Sequence, residues 1–196
     1  MKALIINYGV GNLFSIASAF KRLGLNVSVD HRLSRDYDLI IFPGVGNFSS
    51  VAKYVESNAH ILNEAMSEGT PFLGICIGMH IMFEYGLEGG FNKGLGWLKG
   101  YTDKIKAEVK LPHIGWDKIY TTYADDLNEP LMEQYVYFMH SYIAYTDEKC
   151  NTFGYYGVRF PALIYKGHII GTQFHPEKSG KVGIRFLTNL LRWLRC

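Results

Sequence analysis

At 196 residues the chain is long enough to bury roughly 70% of its unfolded surface around one core, so a single domain spanning 1–196 is expected. With 48% hydrophobic and 19% charged residues it reads as a packed soluble protein, no apolar run approaches the ~20 residues of a membrane span, and the N-terminal run Ala3 to Ile6 falls far short of the ~7–15 of a signal-peptide core. A net charge of +2 gives no electrostatic basis for nucleic acid or membrane binding, and the odd set of three cysteines, Cys76, Cys150 and Cys196, fits reduced thiols and a cytoplasmic location better than a disulfide framework.

Ala3 to Ile6 reads as a short buried strand. After the turn Tyr8-Gly9-Val10-Gly11, residues Leu13, Ile16, Ala17, Phe20 and Leu23 recur at helical spacing up to Gly24. Val27 to Val29 and Asp38 to Phe42 follow as strands, the latter ending on Pro43-Gly44. Ile61, Leu62, Ala65 and Met66 mark a helix closing near Gly69, Pro71 to Ile75 is a strand running into Cys76, and another helix is expected from Ile77. The second half turns strand-rich at Tyr135–Met139, Phe153–Val158, Ala162–Tyr165 and His168–Phe174, before a last helix with Leu187, Leu190, Leu191 and Leu194 on one face. Alternating β and α elements ahead of a β-rich half predict an α/β fold: a mostly parallel central sheet with helices on both faces and an antiparallel extension.

Gly74-Ile-Cys-Ile-Gly78 lies where a buried strand meets a helix, the arrangement that forms a nucleophile elbow. A thiol there would sit at a helix N-terminus, which favours the thiolate, with the Ile77 N–H facing an oxyanion. A small buried core cysteine fits the pentapeptide equally well. His175 and Glu177 flank Pro176 in an extended segment, where residues two apart point the same way, so Glu177 can orient His175 as a base. By itself His-x-Glu is more often a surface pair; beside the elbow it supplies what a nucleophilic cysteine needs. Pro43-Gly44-Val45-Gly46-Asn47 ends a strand where α/β sheets bind ligands, and Val45 or Gly46 with Ile77 would supply two oxyanion donors. An ordinary strand-to-helix turn accounts for that segment as well.

Pro43-Gly-Val-Gly-Asn-Phe48, Gly74-Ile-Cys-Ile-Gly-Met79, Leu111-Pro-His-Ile-Gly-Trp116, Tyr137-Phe-Met-His-Ser-Tyr142 and Gly171-Thr-Gln-Phe-His-Pro-Glu-Lys-Ser179, in this order, resemble the class I glutamine amidotransferases, and among them the glutaminase subunits of imidazole glycerol phosphate synthase. The resemblance covers nearly the whole chain. It implies that Cys76 attacks the carboxamide of glutamine to form a thioester, with His175 as base and Glu177 orienting it. It implies a heterodimer in which ammonia passes to a (βα)8-barrel cyclase subunit that makes imidazole glycerol phosphate and aminoimidazole carboxamide ribotide for histidine biosynthesis. His140, Ser141 and Tyr142 would help hold the amino-acid end of glutamine, and Asn12, Trp116, Tyr137 and Lys178 would lie toward the cyclase. It also implies a glutaminase coupled to its partner, for which stimulation of at least tenfold by the liganded partner is expected, about 1.4 kcal/mol of barrier; the Gly44 to Asn47 loop is the candidate switching element. No cofactor or metal is expected.

The chain departs from the family at His80, where Gln is usual, at Asp117 in place of Asn and at Asn7 in place of Asp. One helical turn beyond Cys76, His80 would face the pocket, where neutral imidazole replaces an amide contact to glutamine. Its unperturbed pKa of ~6.5 predicts a glutamine affinity that changes between about pH 6 and 7.5. Three other readings compete. A glutaminase feeding pyridoxal phosphate synthase would carry a Pro-Gly-Gly-Glu-Ser loop instead of Pro43-Gly-Val-Gly46. A dinucleotide-binding module would need glycine where Phe14 follows Gly9-x-Gly11. A docking protein without chemistry would not need the Cys-His-Glu set.

Overall fold

The computed structural model describes residues 1–9, 12–34, 36–44 and 46–195. In chain order the elements are β1 (Lys2–Ile6), α1 (Leu13–Arg22), β2 (Asn26–Asp30), β3 (Leu39–Phe42), α2 (Phe48–Ser67), β4 (Phe72–Ile75) and α3 (Ile77–His80). They continue with β5 (Phe83–Gly86), β6 (Asn92–Lys93), β7 (Leu98–Lys104), β8 (His113–Lys118), β9 (Tyr120–Thr121), β10 (Tyr135–His140) and β11 (Tyr142–Tyr145). The chain closes with β12 (Thr152–Tyr156), β13 (Val158–Lys166), β14 (Ile169–Thr172) and α4 (Gly180–Trp193).

An eight-stranded sheet in the order β2-β1-β3-β4-β14-β13-β12-β9 forms the centre. It is parallel from β2 through β14 and antiparallel from β14 to β9. The alternation of side chains along a strand divides its apolar residues between two cores. Ala3, Ile5, Leu39, Ile41, Leu73 and Ile75 pack with Ile16 and Phe20 of α1 and Phe186, Leu187 and Leu190 of α4. Leu4, Ile6, Ile40, Phe42 and Phe72 pack on the opposite face with Phe48, Val51, Val55 and Leu62 of α2. Burial on both faces explains why these strands are continuous apolar runs rather than alternating ones. The expected mostly parallel sheet, helices on both faces and antiparallel extension are all present.

Two smaller sheets complete the fold: β11-β7-β5-β6, and the antiparallel pair β8-β10. The helix expected from Ile77 is a single turn. Ile81 and Met82 already spend their carbonyls on the N–H groups of Leu95 and Leu98, and the chain goes straight into β5. The turn Tyr8 to Gly11 was expected to lead into α1; Val10 and Gly11 lie outside the described residues.

Candidate active site

β3, β4 and β14 all end at one edge of the sheet, and the groups singled out in the sequence meet there. Past β4, Cys76 adopts φ 49° and ψ −109°, a conformation that costs a residue with a side chain about 1–3 kcal/mol. It is held by the Cys76 N–H donating to the Thr172 carbonyl at 2.6 Å and by the Cys76 carbonyl accepting from Met79 and His80 at 2.9 and 3.0 Å. Close approach of backbone demands the flanking glycines. A Cβ on Gly74 would stand 2.3 Å from the Gly78 carbonyl oxygen, and one on Gly78 2.1 Å from that of Phe42. The elbow read from Gly74-Ile-Cys-Ile-Gly78 is therefore formed, on a helix of one turn.

β14 delivers Gln173 and His175 to the same point. His175 Nδ1 lies 2.8 Å from Glu177 Oε1, with the two side chains 1% and 2% exposed. A carboxylate only accepts, so Nδ1 carries the hydrogen and Nε2 is left for the thiol. Nε2 is buried without a partner in standard hydrogen-bond geometry. Burial pulls His175 down, but the Cys76 thiol and the Glu177 carboxylate outweigh it and carry the pKa up to about 9. Gly44 closes over the ring: a Cβ there would come within 2.8 Å of His175 Cε1. Tyr8 anchors the start of this loop by donating its hydroxyl to the Pro43 carbonyl at 2.6 Å, and Asn47 anchors the end by capping α2, accepting from the Ser50 N–H at 2.9 Å.

A cleft of about 230 Å³ opens beside the sulfur, lined by Gly44, Gly46, Cys76, Ile77 and His80 on one side and by His140, Ser141 and Tyr142 on the other. Drug-sized ligands occupy ~300–1,000 Å³, so this cleft is on the scale of a single amino acid. Val45, the other expected oxyanion donor, lies outside the described residues. Residues 4–192 match the family model for glutamine amidotransferase class-I. The chain belongs to the class I glutamine amidotransferases. It is 54% identical to the imidazole glycerol phosphate synthase subunit HisH of Sulfolobus acidocaldarius and 50% identical to that of Saccharolobus solfataricus, each match covering 100% of both chains. The protein of the same name from Aquifex aeolicus is 36% identical over 98% of this chain and 97% of its own. Among solved structures, PurLQS from Thermotoga maritima matches with a TM-score of 0.77 at 18% identity, over 98% of both chains. A glutamine amidotransferase from the same organism matches at 0.71 and 16%, over 99% of this chain and 97% of that one. At such identities these two speak for the fold alone.

In this amidotransferase three of the four residues assigned to the partner side, Trp116, Tyr137 and Lys178, cluster together, and none of the four lines the cleft. Tyr137 is the hub: the Trp116 ring meets it edge-on with centroids 6.2 Å apart, and Lys178 Nζ lies 5.7 Å from its centroid. Asn12 caps α1, accepting from the Ser15 N–H at 3.3 Å. Trp116 is 54% exposed and shares its surface with Ile114 and Tyr135 at 57% and 58%, an apolar face on β8 and β10.

The structure corrects one expectation for His80 and adds residues that the sequence did not single out. His80 does line the cleft, but Nε2 is engaged by Gln173 Oε1 at 2.8 Å. Burial then pushes its pKa down to about 4, well below the range in which it was expected to titrate. Gln173 in turn donates its amide to Cys76 Sγ at 3.6 Å. Glu88 enters the cleft from the turn after β5, accepting from the Phe48 N–H at 2.9 Å, and burial raises its pKa. The sequence signal for Glu88 was only its place in Gly86-Leu-Glu-Gly-Gly90, an acidic residue on a glycine-rich turn.

Proposed function

We propose that this chain is the glutaminase subunit of an imidazole glycerol phosphate synthase, working in the cytoplasm as a heterodimer with a (βα)8-barrel cyclase of histidine biosynthesis. The observation that carries the chemistry is His175, held by Glu177 at 2.8 Å through Nδ1 and left with an unpartnered, buried Nε2 beside the Cys76 elbow. A protonated imidazole at the sulfur is the setting in which cysteine attacks as thiolate. Cys76 Sγ adds to the carboxamide carbon of glutamine, and the negative charge passes to the oxygen under the Ile77 N–H and the glycine loop of residues 44–46. The C–N bond breaks as His175 Nε2 hands its proton to the leaving nitrogen, so ammonia departs and a thioester remains. Water then adds to the thioester, giving its proton to His175, and the C–S bond breaks to release glutamate and restore the thiolate.

The cleft provides for the other end of the substrate. Glu88 is a carboxylate at its rim with one oxygen used by the Phe48 N–H, so it suits the α-ammonium of an amino acid. The His140 to Tyr142 segment forms the facing wall. The HisH names of the relatives, at 54% and 50% identity over their full length, support the cyclase partner. The exposed face with Trp116, Tyr137 and Lys178 is the surface assigned to it.

The test is to assay the chain with the histidine-pathway cyclase of the same source. Glutamate release should rise when the cyclase and its ligand are added. Cys76→Ala should abolish synthesis from glutamine while leaving synthesis from ammonium salts intact. Loss of both activities would make Cys76 a structural residue. Full glutaminase activity that no cyclase changes would point to a free-standing enzyme.

A further inference from the structure

Behind the cleft wall, an unbroken chain of side chains runs from the half-exposed Asp117 to the backbone of the pocket. Asp117 Oδ2 lies 3.3 Å from His113 Nε2, His113 Nδ1 lies 3.2 Å from His140 Nε2, and His140 Nδ1 lies 3.0 Å from the Tyr142 carbonyl oxygen. Both ends of this chain, a carboxylate and a carbonyl, can only accept. Its three contacts therefore need three ring hydrogens. Two neutral imidazoles carry one each, which leaves one contact with two lone pairs facing each other.

We propose that Asp117 and His113 are positioning residues that keep a third proton on the His113–His140 pair and thereby hold the Tyr142 carbonyl and the cleft wall in place for glutamine. This rests on the glutaminase reading of the same cleft. The proton belongs on imidazole, whose basicity exceeds that of a carboxylate. His113 is built to carry it: its ring lies against Tyr156 at 4.0 Å between centroids and 9° between planes, and against Phe138 at 5.0 Å, so two aromatic faces flank the cation. Asp117 supplies the counter-charge. The other titratable groups facing the pair are His80 and His175, both felt at His140. Burial lowers His113 while Asp117 pulls it back up, and burial with the neighbouring imidazoles lowers His140. The third proton therefore leaves on the acid side of the ordinary histidine value.

The identity of residue 117 makes the idea specific. Asp117 Oδ1 is fixed by the Lys118 N–H at 2.7 Å, so an asparagine would keep its oxygen there and point its amide nitrogen at His113 Nε2. That amide supplies the missing hydrogen, and all three contacts close with both rings neutral. Asparagine and aspartate thus hold the same wall, but only aspartate makes the hold depend on pH.

The measurement is glutamine affinity of the full chain, made inactive by Cys76→Ser and bound to the cyclase, by calorimetry from roughly pH 5 to 8, where imidazoles titrate. With Asp117 the Kd should rise as pH rises through a step below the ordinary histidine range. Asp117→Asn should bind as the parent does at the acid end and show no step. Asp117→Leu, of similar size and unable to bond, should bind about fivefold more weakly, the loss of one hydrogen bond. Ring nitrogen resonances give a second readout, with His113 carrying two ring hydrogens in the parent at the acid end and one in Asp117→Asn. Equal affinities and equal pH profiles for Asp, Asn and Leu would overturn the proposal. Failure of glutamine to bind even the parent would instead overturn the glutaminase reading.

Discussion

His80 is enclosed between the elbow and β14, and the hydrogen-bond directions around it fix its protonation. Because Gln173 gives its amide nitrogen to the Cys76 sulfur, its oxygen faces His80, and Nε2 must be the donor. Burial lowers the pKa to about 4, against an unfolded value near 6.5. Between those values the unfolded chain binds a proton that the folded one does not. The contribution of His80 is thus fully present above 6.5 and is lost as pH falls toward 4, on the order of 3 kcal/mol. His175 has the opposite sign: its pKa rises to about 9, so its contribution is complete below 6.5 and disappears as pH climbs through 9. We predict that His80→Gln, whose amide can still donate to Gln173, flattens the acid side of the stability curve. Urea unfolding of both chains from about pH 4.5 to 7 checks this, and parallel curves would show that His80 is not the group responsible. Each half of the triad left a local pattern in the sequence, the elbow around Cys76 and the His175-Pro-Glu177 pair, although the two halves lie far apart in the chain. The neutral state of His80 was not, since it depends on Gln173, whose role no pattern announces.

Among the elements, the elbow shows what pattern reading reaches and where it stops. Gly74-Ile-Cys-Ile-Gly78 was readable because close backbone approach leaves no residue but glycine. The length of α3 was not, because Ile77-Gly-Met-His-Ile-Met-Phe83 is apolar but for His80 and such a run has no period to separate helix from strand. Tertiary bonding decided it, through the Leu95 and Leu98 N–H groups that end the turn at Ile81 and Met82. The central strands were legible as double-faced apolar runs, whereas β5 to β9 and β11 escaped notice: β5, β6 and β9 are very short, and β7, β8 and β11 interrupt their apolar residues with glycine, tyrosine or charged residues. Gly78 offers the sharpest test at this scale. Its added Cβ would meet a backbone oxygen of Phe42 at 2.1 Å, and Phe42 is held in register opposite Gly74 of β4. Gly78→Ala should therefore cost about 3 kcal/mol, the upper range for overpacking, and abolish glutamine hydrolysis by displacing Cys76. Denaturant midpoints and glutamate release report the two effects. A variant stable to within about 0.5 kcal/mol and fully active would mean that the elbow is looser than the contact allows.

Across the whole molecule, the face assigned to the cyclase and the triad share backbone. The His175 N–H donates to the Tyr137 carbonyl at 2.9 Å, the Tyr137 N–H donates to Ser179 Oγ at 3.0 Å, and the Ser179 hydroxyl returns to the His175 carbonyl at 2.7 Å. Lys178 follows Glu177 in the same turn and lies over the Tyr137 ring. A partner that presses on Trp116, Tyr137 or Lys178 thus acts on the segment after β14 that carries the imidazole, with no long relay between them. The sequence suggested the Gly44 to Asn47 loop as the switching element, and Gly44 at its start lies against the His175 ring, next to the same device. Coupling of this kind requires two arrangements that the partner biases, and its usual size is ~1–3 kcal/mol. We predict that Ser179→Ala, which opens the bonded ring between Tyr137 and His175, lowers the cyclase-dependent stimulation of glutaminase by roughly fivefold, about 1 kcal/mol of coupling. The ratio of stimulated to basal glutamate release isolates that effect from a general loss of activity, and co-elution of the two subunits on gel filtration confirms that the complex still assembles. If the ratio is unchanged while both rates fall together, Ser179 only supports the fold, and the signal from the partner enters through the glycine loop instead.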